Sequence, residues 1–160
     1  MKLTREQVRA ILAHPSGWLA TGFGSGLSPY APGTVGSLTA LIPFLYLRTL
    51  SVPAYLAVIA VTFAIGVYAS ARTIDRLKLS DPGFIVIDEF VGQWLALLLA
   101  PPQWYWVAVG FVLFRLFDII KPWPVSWADR RIHGGLGVML DDAIAGLMAA
   151  LVMHVLSRYC

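Results

Sequence analysis

An all-α, multi-pass membrane helical bundle of about five helices is predicted by three features of this 160-residue sequence. It is 58% hydrophobic and only 13% charged, with a mean hydropathy of +0.72. It contains five apolar runs set apart by short polar or proline-containing breaks, and its basic residues gather on alternate breaks. Soluble domains carry about 25% charged residues. With 12 basic and 9 acidic residues, a chain this small has too little polar surface to cover itself in water.

The length leaves room for a single domain over 1–160. Disorder is excluded, because it needs low hydrophobicity and high net charge. The net charge of +3 is spread without a basic run, which gives nucleic-acid binding little electrostatic support. The single cysteine, Cys160, excludes an intrachain disulfide, a Cys-rich metal site and thiol-based phosphatase chemistry. No signal peptide is legible, since residues 1–14 are polar and charged.

Residues 1–14 read as a short amphipathic helix, with Leu3, Val8, Ile11 and Leu12 on one face and Lys2, Arg5 and Arg9 available to anionic headgroups. A Gly-rich loop follows over 16–37, with little helical potential. The apolar runs are 35–50, interrupted by Pro43, then 52–71, 85–100, 104–120 and 138–156. Some fall short of the ~20 residues that cross a bilayer, so a soluble core of buried helices is the competing reading. Against it stand the scarcity of charge and the cluster Trp104, Tyr105 and Trp106, placed where an aromatic belt would lie. Pro101, Pro102 and Gln103 mark a tight reversal between two runs.

If each run crosses once, the N-terminal segment and the 72–87 and 121–137 loops share one side. That side carries Lys2, Arg5, Arg9, Arg72, Arg76, Lys78, Lys121, Arg130 and Arg131, with Arg115 just inside a helix. The other side has only Arg48 and Arg158, so the positive-inside rule makes the rich side cytoplasmic.

The same path brings the reactive side chains to that side. Asp88 and Glu89 open the third run, Arg115, Asp118 and Lys121 end the fourth, and Asp141 and Asp142 open the fifth. Carboxylates near a membrane boundary are costly and usually face the bundle interior, paired or on a cation. An oxygen-rich set suits a hard ion such as Mg2+, which completes its shell with water and substrate phosphate. Each piece also has a plainer explanation. Acids in a helix first turn suit the macrodipole, and Arg115 with Asp118 makes an ordinary i,i+3 pair. Asp75, Asp81 and Asp129 read as solvated loop residues, with Asp129 kept as a weaker candidate.

Gly92 and Gly146 follow Asp88 and Asp142 by four residues, and a small residue there lets helices approach closely. The Gly-rich loop exposes backbone N–H groups suited to anions. Its hydroxyls Ser25, Ser28, Thr34 and Ser37 are candidate substrate contacts, and Thr34 and Ser37 are candidate caps aiming the first helix N-terminus at a phosphate. It is not a P-loop, for no Gly-Lys-[Ser/Thr] follows.

Together four segments resemble the phosphatidylglycerophosphatase A family: 22–37 (GFGSGLSPYAPGTVGS), 85–92 (IVIDEFVG), 114–124 (FRLFDIIKPWP) and 134–146 (GGLGVMLDDAIAG). They run in the family's order over nearly the whole chain. The resemblance implies a Mg2+-dependent phosphatase of the bacterial cytoplasmic membrane that converts phosphatidylglycerophosphate to phosphatidylglycerol and phosphate. On that reading Asp88, Glu89, Asp118, Asp141 and Asp142 are catalytic, with Asp88, Glu89, Asp118 and Asp142 holding Mg2+, and Arg115 and Lys121 offset phosphate charge. The expected partners are the phospholipid substrate and membrane lipids, not nucleic acid.

Rival lipid enzymes fit less well. The CDP-alcohol phosphotransferases need an Asp-Gly pair, which is absent. In histidine-based lipid phosphatases the histidine follows Pro-Ser-Gly, whereas Trp18 follows Pro15-Ser16-Gly17 here, and the haloacid-type Asp-x-Asp-x-Thr/Val is missing. The non-enzyme rival is a small ion-binding transporter or channel subunit, motivated by the intramembrane acids.

Overall fold

The computed structural model describes residues 3–78 and 82–159. Lys2, placed by sequence among the basic residues of one side, Asp81, read as a loop acid, and Cys160, the lone cysteine, lie outside the described residues. Every regular element among the described residues is helical: α1 (Arg5–Leu12), α2 (Pro15–Ala20), a 3₁₀ turn (Ser25–Leu27), α3 (Pro32–Leu47), α4 (Val52–Leu77), α5 (Ile87–Leu97), α6 (Trp104–Ile120), α7 (Val125–Arg131) and α8 (Gly134–Leu156). Eight α-helices among the described residues replace the expected five. Each apolar run became one helix, α1 falls where a short N-terminal helix was expected, and α2 and α7 are additional short ones. Both of these start where a chain break was expected: α2 has proline at its first position, where the missing N–H costs nothing, and α7 follows Pro124 directly.

Among the described residues only α4 and α8 are long and apolar enough to cross a membrane. The short central helix α5 is a different kind of element. Its 11 residues rise about 16 Å at about 1.5 Å each, roughly half the ~30 Å hydrocarbon thickness. All of them but Asp88 are buried, because α3, α4, α6 and α8 surround the helix. Trp94 is fixed on both sides: its indole N–H donates to Ala40 O at 2.8 Å, and its carbonyl accepts from the Tyr55 hydroxyl at 2.9 Å.

The outer faces are apolar. Leu38, Ile42 and Leu45 of α3, Val61 and Ile65 of α4, and Leu147 and Leu151 of α8 are all exposed. Such a surface marks contact with lipid or another apolar partner. The expected aromatic belt is corrected at one position. Trp104 and Tyr105 are exposed at the start of α6, whereas Trp106 turns inward and is buried.

Close approach of α5 and α8 depends on two glycines. A Cβ on Gly146 would collide with the Gly92 carbonyl, and one on Gly92 would meet the Phe114 ring and, at 2.8 Å, Asp142 O. The backbones therefore touch one turn below the acidic residues, as helices with small interfacial residues can. At the same end of the bundle, the backbone of Gly135 lies against Val67 and Ala71 of α4. Gly146→Val should overpack this contact and cost about 1–3 kcal/mol, read as a lower melting temperature of the purified protein in detergent. An unchanged melting temperature would contradict the close approach.

Candidate active site

The chain reverses between α4 and α5, between α6 and α7, and before α8, and these reversals surround one cleft of about 330 Å³. Asp88 and Glu89 reach it from the first turn of α5, Asp118 from the last turn of α6, and Asp141 and Asp142 from α8. Asp141 and Asp142 do not open their helix. It starts at Gly134, so they sit two turns inside, and helix-end capping does not explain them.

Charge is organised around two cations. Arg115 Nη1 contacts Glu89 Oε2 at 2.5 Å and Asp118 Oδ2 at 2.8 Å, with all three side chains largely buried. The Ser37 hydroxyl donates to Glu89 Oε2 at 2.7 Å, joining α3 to the pair. Gly33, one turn earlier, also faces it: a Cβ there would collide with Glu89 Oε1 and lie 3.2 Å from the guanidinium nitrogens. Lys121 follows α6 in a left-handed conformation (φ 48°), and its Nζ bridges Asp129 Oδ1 and Asp141 Oδ2, each at 2.5 Å. Partial burial works to lower the Lys121 pKa, but hydrogen bonds and charge from Asp129 and Asp141 outweigh it and raise the pKa above the ordinary lysine range. The ammonium is charged throughout the neutral range.

Two carboxylates of the cleft have no cation of their own among the described residues. Asp88 Oδ1 accepts the Glu89 backbone N–H at 2.9 Å. Asp142 is buried, and its Oδ2 has no hydrogen-bond partner. Both line the cleft.

The expectation of Mg2+ is overturned by this arrangement. Among the described residues no group of three or more His, Cys, Asp or Glu side chains forms a cluster able to hold a metal ion. Of the four expected ligands, Glu89 and Asp118 converge on Arg115, while Asp88 and Asp142 complete no such cluster.

The loop hydroxyls are placed unevenly. Ser37 joins the Glu89–Arg115 pair. Ser25 donates to Gly22 O at 2.9 Å and Ser28 to Tyr30 O at 2.8 Å, so both serve local turns away from the cleft. Thr34 lies in the first turn of α3, whose N-cap is Ala31 with no side-chain hydrogen bond. The expected Thr34 and Ser37 caps are therefore not formed, because α3 starts at Pro32, ahead of both. Asp75 lies on α4, exposed, rather than in a loop.

Sequence reasoning missed His133, which lines the cleft at the N-cap of α8, and undervalued Asp129. Their signal was adjacency: Asp129 lies on the short helix α7 and His133 just beyond its end, between two recognised segments.

Helices long enough to cross a bilayer, converging on a carboxylate-rich and cation-bearing cleft at one end, define a membrane-helix protein with a polar site for a charged ligand. The chain belongs to the phosphatidylglycerophosphatase A family, whose profile matches residues 18–157. It is 46% identical to phosphatidylglycerophosphatase A of Escherichia coli over 153 residues, covering 94% of this chain and 88% of that protein. The Haemophilus influenzae protein of the same name is 40% identical over 150 residues, covering 92% of each. A Bacteroides thetaiotaomicron protein, provisionally named a phosphatidylinositol-3-phosphatase, is 43% identical over 149 residues, covering 86% of this chain and 90% of that one. No solved structure matches the chain significantly. Family membership supports an enzyme over the ion-pathway alternative.

Removing Arg115 should leave Glu89 buried without its cation. Arg115→Met is expected to cost about 3–5 kcal/mol, and adding Glu89→Gln should recover part of it. Thermal melts of the single and double variants check this. A single variant as stable as the parent would contradict the pair's structural role.

Proposed function

We propose that this chain, acting as a single domain, hydrolyses the terminal phosphate monoester of phosphatidylglycerophosphate to give phosphatidylglycerol and phosphate, at the cytoplasmic face of the bacterial inner membrane. The observation that carries the reading is one cleft, in a chain of this family, that joins cation-free carboxylates to a charged lysine.

In this account Asp88 and Asp142 do the proton or nucleophilic work, because no cation holds either of them. One takes the proton of the water that attacks phosphorus, or attacks phosphorus itself to form an aspartyl phosphate that water then hydrolyses to free phosphate. The P–O bond to glycerol breaks, and the leaving oxygen gains a proton. Lys121 offsets phosphate charge at the cleft mouth, and Arg115 does so from behind Glu89 and Asp118. Glu89, Asp118, Asp141 and Ser37 hold those cations in place. Ser25 and Ser28 act through the turns that lead into α3, and Thr34 sits beside Gly33 in the first turn of that helix.

A cleft at one end of the helices suits a lipid. The phosphate enters while the chains stay against the apolar outer faces, and the remote binding energy positions the reacting group. The purified protein in mixed micelles is therefore expected to turn over phosphatidylglycerophosphate with kcat/KM about 100-fold above that for glycerol 3-phosphate. Equal values would contradict the account. Phosphatidylinositol 3-phosphate is the third arm, and its faster turnover would reassign the substrate.

Orientation is tested separately, with Cys160→Ser as background. An impermeant thiol reagent added to intact cells should label Gln103→Cys and spare Lys78→Cys and Arg131→Cys. The reverse pattern would invert the protein in the membrane.

A further inference from the structure

A second cavity lies away from the catalytic cleft, between α2 and the end of α4. It measures about 260 Å³ and is lined by His14, Pro15, Ser16, Tyr68, Arg72 and Arg76. None of these residues lines the catalytic cleft. An open groove of about 490 Å³ adjoins it, sharing His14 and Pro15 and continuing along Leu12, Trp18 and Leu19. One end of the combined surface is basic and the other is apolar.

Both arginines are available to an anion. Among the described residues neither makes an ion pair. Arg76 Nη1 lies 3.4 Å from the Ser16 hydroxyl, and the Arg72 guanidinium lies 5.4 Å from the Tyr68 ring centre. They stand four residues apart on one face of α4, immediately after its long apolar stretch ends. In a membrane-crossing helix that position is headgroup depth, where basic side chains meet lipid phosphate. The Trp18 indole N–H is engaged by Leu12 O at 2.9 Å, which holds the ring as one wall of the apolar groove.

We propose that this paired cavity and groove bind an anionic phospholipid as a second, non-catalytic site. Arg72 and Arg76 take its phosphate diester, and Leu12, Trp18 and Leu19 take the start of an acyl chain. Two unpaired guanidinium groups favour a lipid of net negative charge over a zwitterionic one, whose own ammonium would face them. The apolar extension favours a lipid over free phosphate. Bound lipid would tie α1 and α2 to the bilayer surface beside α4.

The test uses the full-length protein in neutral detergent with photoactivatable phosphatidylglycerol or phosphatidylcholine, and maps the crosslinks by mass spectrometry. The phosphatidylglycerol probe should label residues 12–19, and each of Arg72→Gln and Arg76→Gln should weaken that labelling about fivefold. Turnover of micellar phosphatidylglycerophosphate and the melting temperature should stay at the parental values. Should the variants fail to fold, competition on the parent protein decides. Unlabelled phosphatidylglycerol should displace the probe, while phosphatidylcholine and inorganic phosphate should not. Equal labelling by the two probes, labelling confined to the catalytic cleft, or displacement by inorganic phosphate would overturn the proposal. Labelling reads no hydrolysis, so its failure would leave the phosphatase reading standing.

Discussion

Arg115 reaches from α6 to Glu89 on α5, and a charged residue can enter the centre of an apolar bundle because of that reach. A buried carboxylate without a partner costs several kcal/mol, and more where lipid replaces water outside. The pair sits where α3, α5 and α6 meet, with the Ser37 hydroxyl and the bare backbone of Gly33 completing its surroundings. Moving any of these helices outward would open the pair. The position of the short central helix, and through Gly92 and Gly146 that of α8, thus follows from satisfying one ion pair.

The carboxylates of the cleft differ in their partners. Glu89 and Asp118 share Arg115, and Asp141 shares Lys121 with Asp129. These groups are held by charge and brace the two cations. Asp88 accepts the Glu89 backbone N–H, and Asp142 Oδ2 has no hydrogen-bond partner. Acid–base or nucleophilic work needs a carboxylate whose charge is not already spent. An approaching phosphate would meet Lys121 first, since that side chain is the more exposed of the two cations.

Much of this was legible in the sequence because it rests on patterns that survive without coordinates. Acids and bases recurring at alternate chain reversals predict convergence in an up-and-down bundle, and the small residues below Asp88 and Asp142 predict close helix approach. Other features depend on partners chosen in three dimensions. An acid that will meet Arg115 and one that will remain unpaired look alike in sequence, so two of the four expected metal ligands, Glu89 and Asp118, proved committed to Arg115. The start of α8 was hidden by Gly134, Gly135 and Gly137, which read as breakers although the helix begins among them. The burial of α5 was hidden because an apolar run of that length fits a lipid-facing span and an enclosed helix equally well.

The division between committed and cation-free carboxylates is tested most directly by measuring turnover and melting temperature together for Asp88→Asn, Asp142→Asn and Glu89→Gln. The account expects the two asparagine variants to lose about 100-fold or more in kcat on phosphatidylglycerophosphate while melting as the parent does. Glu89→Gln should instead melt at a lower temperature, because it removes one of the two carboxylates that hold Arg115 inside the bundle. Parental turnover in both Asp88→Asn and Asp142→Asn would contradict the assignment of the chemistry to the cation-free pair.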